Sequence, residues 1–241
     1  MRTSERGKCA VIEWPYGHAL HLDEPARTTD RGMHDDKGLA REALLVEFTH
    51  QLVVGSVAAN PRGYTNVIKK YISYFDGNLL NLPGSEESIE TQEGPAAYQE
   101  AIDFLSKQSG VGRLEPSKGL CKIAKDFVSE MKKVDPGDIG SIDLDKIIER
   151  YGKFTGNLNR ALDMGGETPE QVLVNLIVSD GEPNREQRES LLNKDFNKVG
   201  VGFGTHDELK YVTTIISASK FENKVDVDDR GIVGNTKYNK P

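Results

Sequence analysis

The chain has 241 residues, a hydrophobic fraction of 37% and a formal net charge of -7, which suits one domain of ordinary size with flanking tails. A mildly acidic chain without a basic stripe argues against a dedicated nucleic-acid-binding protein. No apolar run approaches the roughly 18 residues that a membrane-spanning helix needs, so we expect no membrane span.

The first 38 residues differ from the rest of the chain, because they carry no helical or alternating apolar period. Residues 222–241 have the same character. Segments this poor in apolar residues cannot offset the entropy of ordering alone, but they can fold on a partner. We therefore expect two extended tails that bury side chains against other chains. Their predicted partner-binding anchors are the apolar side chains set among polar neighbours, namely Trp14, Tyr16, Ile232, Val233 and Tyr238.

The N-terminal sequence lacks the apolar stretch of a secretory signal. Only two cysteines occur, Cys9 and Cys121, and they are far apart. An extracellular chain of this size often carries more, so we expect reduced thiols and a cytoplasmic location. Neither a pair of closely spaced cysteines nor a Cys/His cluster provides the spacing of a zinc site.

Helices are predicted along the middle of the chain, where apolar residues recur at intervals of three and four. Thr168, Pro169 and Gln171 form a capping box with proline at the first helical position, and Asn184 is the predicted cap of the last helix. The predicted helical segments are residues 44–52, 64–75, 94–107, 117–133, 146–150, 168–177 and 184–193.

Two strands are predicted late in the sequence. Residues 199–203 alternate glycine with apolar side chains, as closely packed strands do. Residues 210–217 are β-branched and complete a hairpin whose loop is residues 204–209. Several helices with a few strands indicate a layered α/β domain.

A series of short motifs occurs in one order along the chain. They are Ala59-Asn60-Pro61-Arg62-Gly63-Tyr64, Tyr74-Phe75-Asp76-Gly77-Asn78, Thr91-Gln92-Glu93-Gly94, Ser117-Lys118-Gly119-Leu120, Arg150-Tyr151-Gly152, Asp180-Gly181-Glu182-Pro183-Asn184-Arg185 and Phe196-Asn197-Lys198-Val199-Gly200-Val201-Gly202. In this order they resemble the CAP superfamily (SCP or pathogenesis-related-1-like domains), in the form common in protists. The resemblance covers residues 45–221 and implies a three-layer α/β/α sandwich around a central antiparallel sheet.

The resemblance also implies a cleft with two histidines and two acidic residues, and this sequence departs from it. Where the family has Gly-Glu-Asn-Ile, the chain has Asn159-Arg160-Ala161-Leu162; where the family has Arg-Gly-His-Arg, it has Arg185-Glu186-Gln187-Arg188. We expect a degenerate cleft at Arg160, Asp180, Gln187 and Arg188, with no catalytic residue, no cofactor and no bound metal. A cation beside Arg160 would meet a fixed positive charge.

Three other features have ordinary explanations. His206 is interpreted as a loop histidine at a strand turn, because no nucleophile pattern surrounds it. Cys121, on a helical apolar stripe, is interpreted as a core cysteine. Asp226, Asp228 and Asp229 lack the spacing of a calcium loop.

The sequence therefore favours a non-catalytic structural or adaptor protein, held by its tails in a large intracellular protein assembly. A ciliary axoneme or another microtubule-associated complex is the expected location, because protists build such assemblies. Two alternatives stay open. One is a hydrolase with a rearranged site using Asp180, His206 or Cys121, and the other is a lipid or sterol carrier, an activity attributed to some CAP relatives.

Overall fold

The computed structural model describes residues 54–112 and 114–224 with their side chains, and the backbone of residues 10–13 and 19–22. By internal contacts the chain divides into two compact units, Met1–Ala40 and Arg41–Pro241. In the first unit, β1 (Ala10–Glu13) pairs antiparallel with β2 (Ala19–Leu22). Of the predicted C-terminal tail, the structure describes Glu222 and Asn223, which end the last strand, and Lys224, which follows it; the rest lies outside the described residues.

The second unit alternates helices with strands. After helical residues 54–59, the helices are α1 (Pro61–Ile72), α2 (Pro95–Lys107), α3 (Lys118–Met131), α4 (Leu144–Tyr151), α5 (Pro169–Val178) and α6 (Glu186–Leu191), with a 3-10 helix at Pro136–Ser141. The strands are β3 (Phe75–Asp76), β4 (Leu79–Leu80), β5 (Ile89–Glu90), β6 (Glu115–Pro116), β7 (Gly152–Met164), β8 (Lys198–His206) and β9 (Lys210–Asn223). No helix in the described part of the chain is long and apolar enough to cross a membrane.

The main sheet has the strand order β6-β8-β9-β7. Strands β8 and β9 form the predicted antiparallel hairpin, with register from Lys198 opposite Ala218 to His206 opposite Lys210. Strand β7 pairs antiparallel with the other edge of β9, and the short β6 is parallel to β8. Strands β3, β4 and β5 form a separate small antiparallel sheet.

Two hydrophobic cores cover opposite faces of the main sheet. Side chains of α1, α2 and α5 pack in one core with Val199, Val201 and Ile215 of the sheet. Side chains of α3 and α4 pack in the other with Val212 and Ile216. Because side chains alternate between the faces of a strand, β9 contributes to both cores. The fold is therefore the expected three-layer α/β/α sandwich.

Glycines on β8 allow α3 to lie directly against the sheet. A Cβ atom at Gly200 would meet the backbone of Leu120 and Cys121, and one at Gly202 would lie 2.5 Å from the backbone carbon of Ala124. This close approach explains the alternation of glycine with apolar residues in the sequence.

The structure corrects three sequence predictions. Strand β7 was not predicted at all, although it has 13 residues. Phe75 belongs to β3 rather than to a helix. The cap of α6 is Arg185, in the left-handed conformation with φ of 49°, and not Asn184, because the chain still forms a turn at that residue. The capping box of Thr168 and Gln171 is confirmed at the start of α5.

Candidate functional site

A cleft of about 470 Å³ opens between β7 and the segment that leads into α6. Strand β7 supplies one wall, the loop after α5 supplies the mouth, and α6 supplies the opposite wall. The lining residues are Asn159, Arg160, Leu162, Gly181, Glu182, Pro183, Asn184, Glu186, Gln187 and Ser190.

Arg160 lies in the wall formed by β7, and its guanidinium stacks on the ring of Phe127 from α3. The guanidinium carbon is 4.4 Å from the ring centroid, the geometry of a cation–π contact. Burial lowers the pKa of Arg160 below its usual value, but a guanidinium stays protonated at physiological pH. Arg160 therefore keeps its positive charge where it lies over Phe127.

Gln187 is held in place across the cleft by two hydrogen bonds. The backbone N–H of Leu162 donates to its Oε1 at 2.9 Å, and its Nε2 donates to Oε1 of Glu182 at 3.0 Å. The side chain thus links the exposed edge of β7 to α6 and to the loop before it. An amide in this position is a structural connector, and it does not exchange protons near neutral pH.

Asp180 does not line the cleft. Its carboxylate accepts hydrogen bonds from the backbone N–H groups of Gln92 at 2.6 Å and Glu93 at 2.8 Å. In return, Glu93 Oε1 accepts from the backbone N–H of Gly181 at 2.8 Å. The two carboxylates therefore join the loop before α2 to the loop after α5.

Arg188 does not line the cleft either. Its side chain is 1% exposed and its two terminal nitrogens donate to the carboxylate of Glu100 at 2.7 and 2.6 Å. It also donates to the carbonyls of Ile177 and Val178 and lies over the ring of Phe104. Arg188 is thus a buried connector between α2, α5 and α6.

Arg185 reinforces the same connection from the loop. Both of its terminal nitrogens donate to the carboxylate of Glu93, at 2.6 and 2.7 Å. The hydrogen bond from Arg185, followed by that from the backbone of Gly181, lowers the pKa of Glu93 to about 2. A bidentate pair of this kind fixes orientation as well as distance, so the loop that forms the mouth of the cleft is firmly held.

Of the four predicted cleft residues, the structure brings Arg160 and Gln187 together and places Asp180 and Arg188 elsewhere. The predicted anchors Trp14, Tyr16, Ile232, Val233 and Tyr238 lie outside the described residues. The contact of Phe127 with Arg160 and the roles of Glu93 and Glu100 were not predicted from the sequence. Only Glu93 had a signal, since it lies in the motif Thr91-Gln92-Glu93-Gly94.

The residues proposed for a rearranged hydrolase site each have other partners. His206 is 7% exposed, and its Nδ1 accepts from the backbone N–H groups of Glu208 and Leu209. Cys121 is buried on α3, and Asp180 holds the loop described above.

The cleft does not fit a metal ion. Within residues 54–112 and 114–224, no group of three or more His, Cys, Asp or Glu side chains could hold one. The carboxylates that line the cleft, Glu182 and Glu186, share it with the charged Arg160. Zinc sites normally need three or four nitrogen, sulfur or oxygen ligands, and the side chains present do not supply them.

Comparison with known proteins places these observations in a family. The model of the cysteine-rich secretory protein (CAP) family matches residues 83–217, more than half of the chain. No curated protein matches the sequence.

Two solved structures show similarity. One is an outer surface protein of Borrelia burgdorferi, with 18% identity over 44% of this chain and 76% of that chain and a TM-score of 0.35. The other is a cysteine-rich secretory protein of Staphylococcus aureus, with 16% identity over 58% of this chain and 46% of that chain and a TM-score of 0.35. The chain thus spans less than half the length of the staphylococcal protein. On the family match, the chain belongs to the cysteine-rich secretory protein (CAP) family.

Proposed function

We propose that this protein is a non-catalytic CAP domain that serves as a structural or adaptor component of a larger protein assembly. One observation carries the proposal. At the two cleft positions where the family resemblance expects an acid and an imidazole, the chain has a guanidinium stacked on Phe127 and an amide fixed between Leu162 and Glu182. Neither group can accept or release a proton near neutral pH.

The remaining carboxylates of the cleft do not restore acid–base chemistry. Glu182 is engaged by the Gln187 amide, and Glu186 is exposed on α6. No histidine or cysteine is among the lining residues. General acid–base catalysis of hydrolysis usually needs two groups in defined roles. Because one of the two cleft carboxylates is tied to Gln187 and the other is exposed to solvent, the pair does not support such a mechanism.

The adaptor role rests on the terminal segments. Residues 1–40 form a unit separate from the rest of the chain, and although the segment was expected to be an extended tail, β1 and β2 form an antiparallel pair within it. We propose that Trp14 and Tyr16 anchor the first tail on another chain, and that Ile232, Val233 and Tyr238 anchor the second. Large apolar side chains of this kind commonly dominate the binding energy of interfaces. We further propose an intracellular cytoskeletal setting, with a ciliary axoneme as the specific location.

Metal content and hydrolysis of the purified full chain test the non-catalytic claim. We expect no tightly held zinc or calcium by elemental analysis, and no turnover of model esters or peptides. The double variant Arg160→Glu/Gln187→His, which places an acid and an imidazole in the cleft, is the matched comparison. One tightly held metal equivalent in the unmodified chain, or a turnover that Glu182→Gln abolishes, would contradict the proposal.

A further inference from the structure

Strand β7 forms one edge of the main sheet, and no other strand in the described part of the chain pairs with its outer side. The strand order is β6-β8-β9-β7, so β7 pairs with β9 alone. Residues 153–157 are exposed, and residues 158–160 are half-buried. An edge strand of this kind presents unpaired N–H and C=O groups to any extended segment that approaches it.

The register with β9 shows which backbone groups of β7 point outward. Residues of an antiparallel strand alternate between those that bond the neighbouring strand and those that face away from it. The N–H of Leu162 faces away from β9, because it donates to Oε1 of Gln187. By the same alternation, the N–H and C=O groups of Leu158 and Arg160 face outward, and within residues 54–112 and 114–224 no group bonds to them. The amide of Gln187 therefore stands where the carbonyl of a further strand would lie.

The regular part of this edge leads into the cleft. The register of β7 with β9 shifts between Thr155 and Leu158 and is continuous from Leu158 to Met164. Because a bulge interrupts regular pairing along a strand, an added strand would pair with the continuous part. The residues of β7 that line the cleft are Asn159, Arg160 and Leu162. A segment paired with this part of the edge would therefore run alongside the cleft.

The charges on the α6 side of the cleft favour a basic segment. Ala161 packs in the core that α5 helps to form, whereas the guanidinium of Arg160 lies over Phe127 of α3, as the alternation of side chains between the two faces of a strand requires. The cleft is lined by the carboxylates of Glu182 and Glu186, and neither forms an ion pair with a lysine or arginine in the described ranges. The net charge of -7 on the whole chain also attracts a basic partner.

We propose that a partner chain adds an extended segment to the outer edge of β7 opposite Leu158 and Arg160, and that a basic side chain of this segment reaches Glu182 and Glu186. In strand addition of this kind, main-chain hydrogen bonds supply affinity and alternate side chains supply specificity. Such a short strand binds weakly alone and adds to the binding by the terminal segments. The inference deepens the proposed adaptor function and rests on it for the source of the segment. The two fail separately, because metal content and hydrolysis are independent of peptide binding.

The test is a titration of the isotope-labelled full chain with four short peptides. The first is acetyl-Thr-Val-Lys-Val-Thr-amide, and the second has Glu in place of Lys. The other two carry N-methyl groups, either on both Val residues or on Lys and the last Thr. Because alternate N–H groups of a strand face the same neighbour, one methylation pattern should block pairing with β7 and the other should not.

Hydrogen exchange of backbone amides reports the pairing directly. At saturating Lys peptide, exchange at Leu158 and Arg160 should slow by about tenfold. Exchange at Asn159 and Ala161, which already face β9, should change little. A ligand held by its side chains alone would not produce this alternation.

The variant Glu182→Gln/Glu186→Gln tests the charge of the cleft. It should weaken binding of the Lys peptide by about tenfold. Glu189→Gln removes the same charge from an exposed position of α6 outside the cleft lining, so it is the matched control and should leave the affinity unchanged.

We expect the Lys peptide to bind with a dissociation constant on the order of 1 mM and the Glu peptide about tenfold more weakly. One N-methylated peptide should bind like the parent, and the other should not bind. Equal binding of both N-methylated peptides, unchanged exchange at Leu158 and Arg160, or no binding of the Lys peptide would overturn the strand addition. Equal binding of the Lys and Glu peptides, or an unchanged affinity in Glu182→Gln/Glu186→Gln, would overturn the basic character of the segment.

Discussion

At the residue scale, two arginines that were predicted to line the cleft, Arg160 and Arg188, have different surroundings. Arg188 is fully enclosed and holds Glu100 together with two backbone carbonyls, so its charge is balanced inside the protein. Arg160 lies on an aromatic ring with no such balance in the described part of the chain. We interpret Arg188 as a structural residue, whereas the charge of Arg160 is balanced by no carboxylate in the described ranges.

Replacement of Arg188 should destabilise the fold strongly. Arg188→Ala removes a donor from the carbonyls of Ile177 and Val178 and opens a space over Phe104. We expect a loss of about 3–5 kcal/mol in the free energy of unfolding, measured by urea denaturation at neutral pH, from the unsatisfied carbonyls and the cavity. Arg150→Ala breaks a solvent-exposed pair with Asp126 and should cost about 1 kcal/mol or less. Similar losses for both variants would contradict the structural role of Arg188.

Asp163 should make stability depend on pH. Asp163 is 4% exposed, and its burial raises the pKa of its carboxyl from 3.8 to about 6. The hydrogen bonds from Asn175 and Gly166 act in the opposite direction and lower this pKa, but their effect is smaller. The unfolded chain therefore releases this proton at lower pH than the folded chain does. The contribution of Asp163 to stability is largest below about pH 4 and falls as the pH rises towards 6.

The variant Asp163→Asn isolates this effect, because its side chain is uncharged in both states. Between pH 4.5 and 7, its free energy of unfolding should rise relative to that of the unmodified protein, by an amount on the order of 2 kcal/mol. Urea denaturation at several pH values measures the difference. Parallel pH curves for the two proteins would show that Asp163 does not titrate in this way.

The sequence allowed some residues of the candidate site to be predicted, but not the contacts that their side chains form. The structure places Arg160 and Gln187 on one cleft, and both lie in segments that occupy the positions of family motifs while departing from them. Asp180 was misplaced because a carboxylate next to a glycine can equally well accept from loop N–H groups, as it does from Gln92 and Glu93. The stacking of Arg160 on Phe127 joins two distant segments, and no local spacing encodes such a contact.

At the scale of elements, the packing of α3 on β8 is the most specific feature. Gly202→Ala would place a Cβ atom 2.5 Å from the backbone carbon and oxygen of Ala124, which a flexible side chain cannot relieve. We expect a destabilisation of about 1–3 kcal/mol. Gly137→Ala, in the 3-10 helix with open space around it, should change stability by less than about 1 kcal/mol. Chemical denaturation of both variants checks the comparison, and an equal effect would contradict the close packing.

Elements with a strong period were predictable, and one long strand was not. Helices α2 and α3 show clear apolar stripes, and β8 and β9 show glycine alternation and β-branched residues, so their types are confirmed. After the buried Gly152, strand β7 continues with Lys153, Phe154 and Thr155, which are exposed, and its register with β9 shifts between Thr155 and Leu158. An exposed edge strand with a bulge has no simple period-two pattern, and for that reason the sequence did not reveal it.

At the scale of the whole molecule, the family membership and the layered fold followed from motif order and hydrophobic periods. The proposed assembly role does not follow from them, because contacts with partner chains would be its evidence. We expect the sandwich to be stable on its own and the N-terminal segment to hold the protein in its assembly.

Sedimentation in native extracts of the source organism tests directly whether the N-terminal segment holds the protein in an assembly. The measurement compares the full chain with a chain that lacks residues 1–38. The full chain should sediment with particles far larger than its 26.6 kDa. The truncated chain should sediment as a free domain, with a melting temperature close to that of the full chain. A full chain that sediments as a monomer, or a truncated chain that stays in the large particles, would contradict the account.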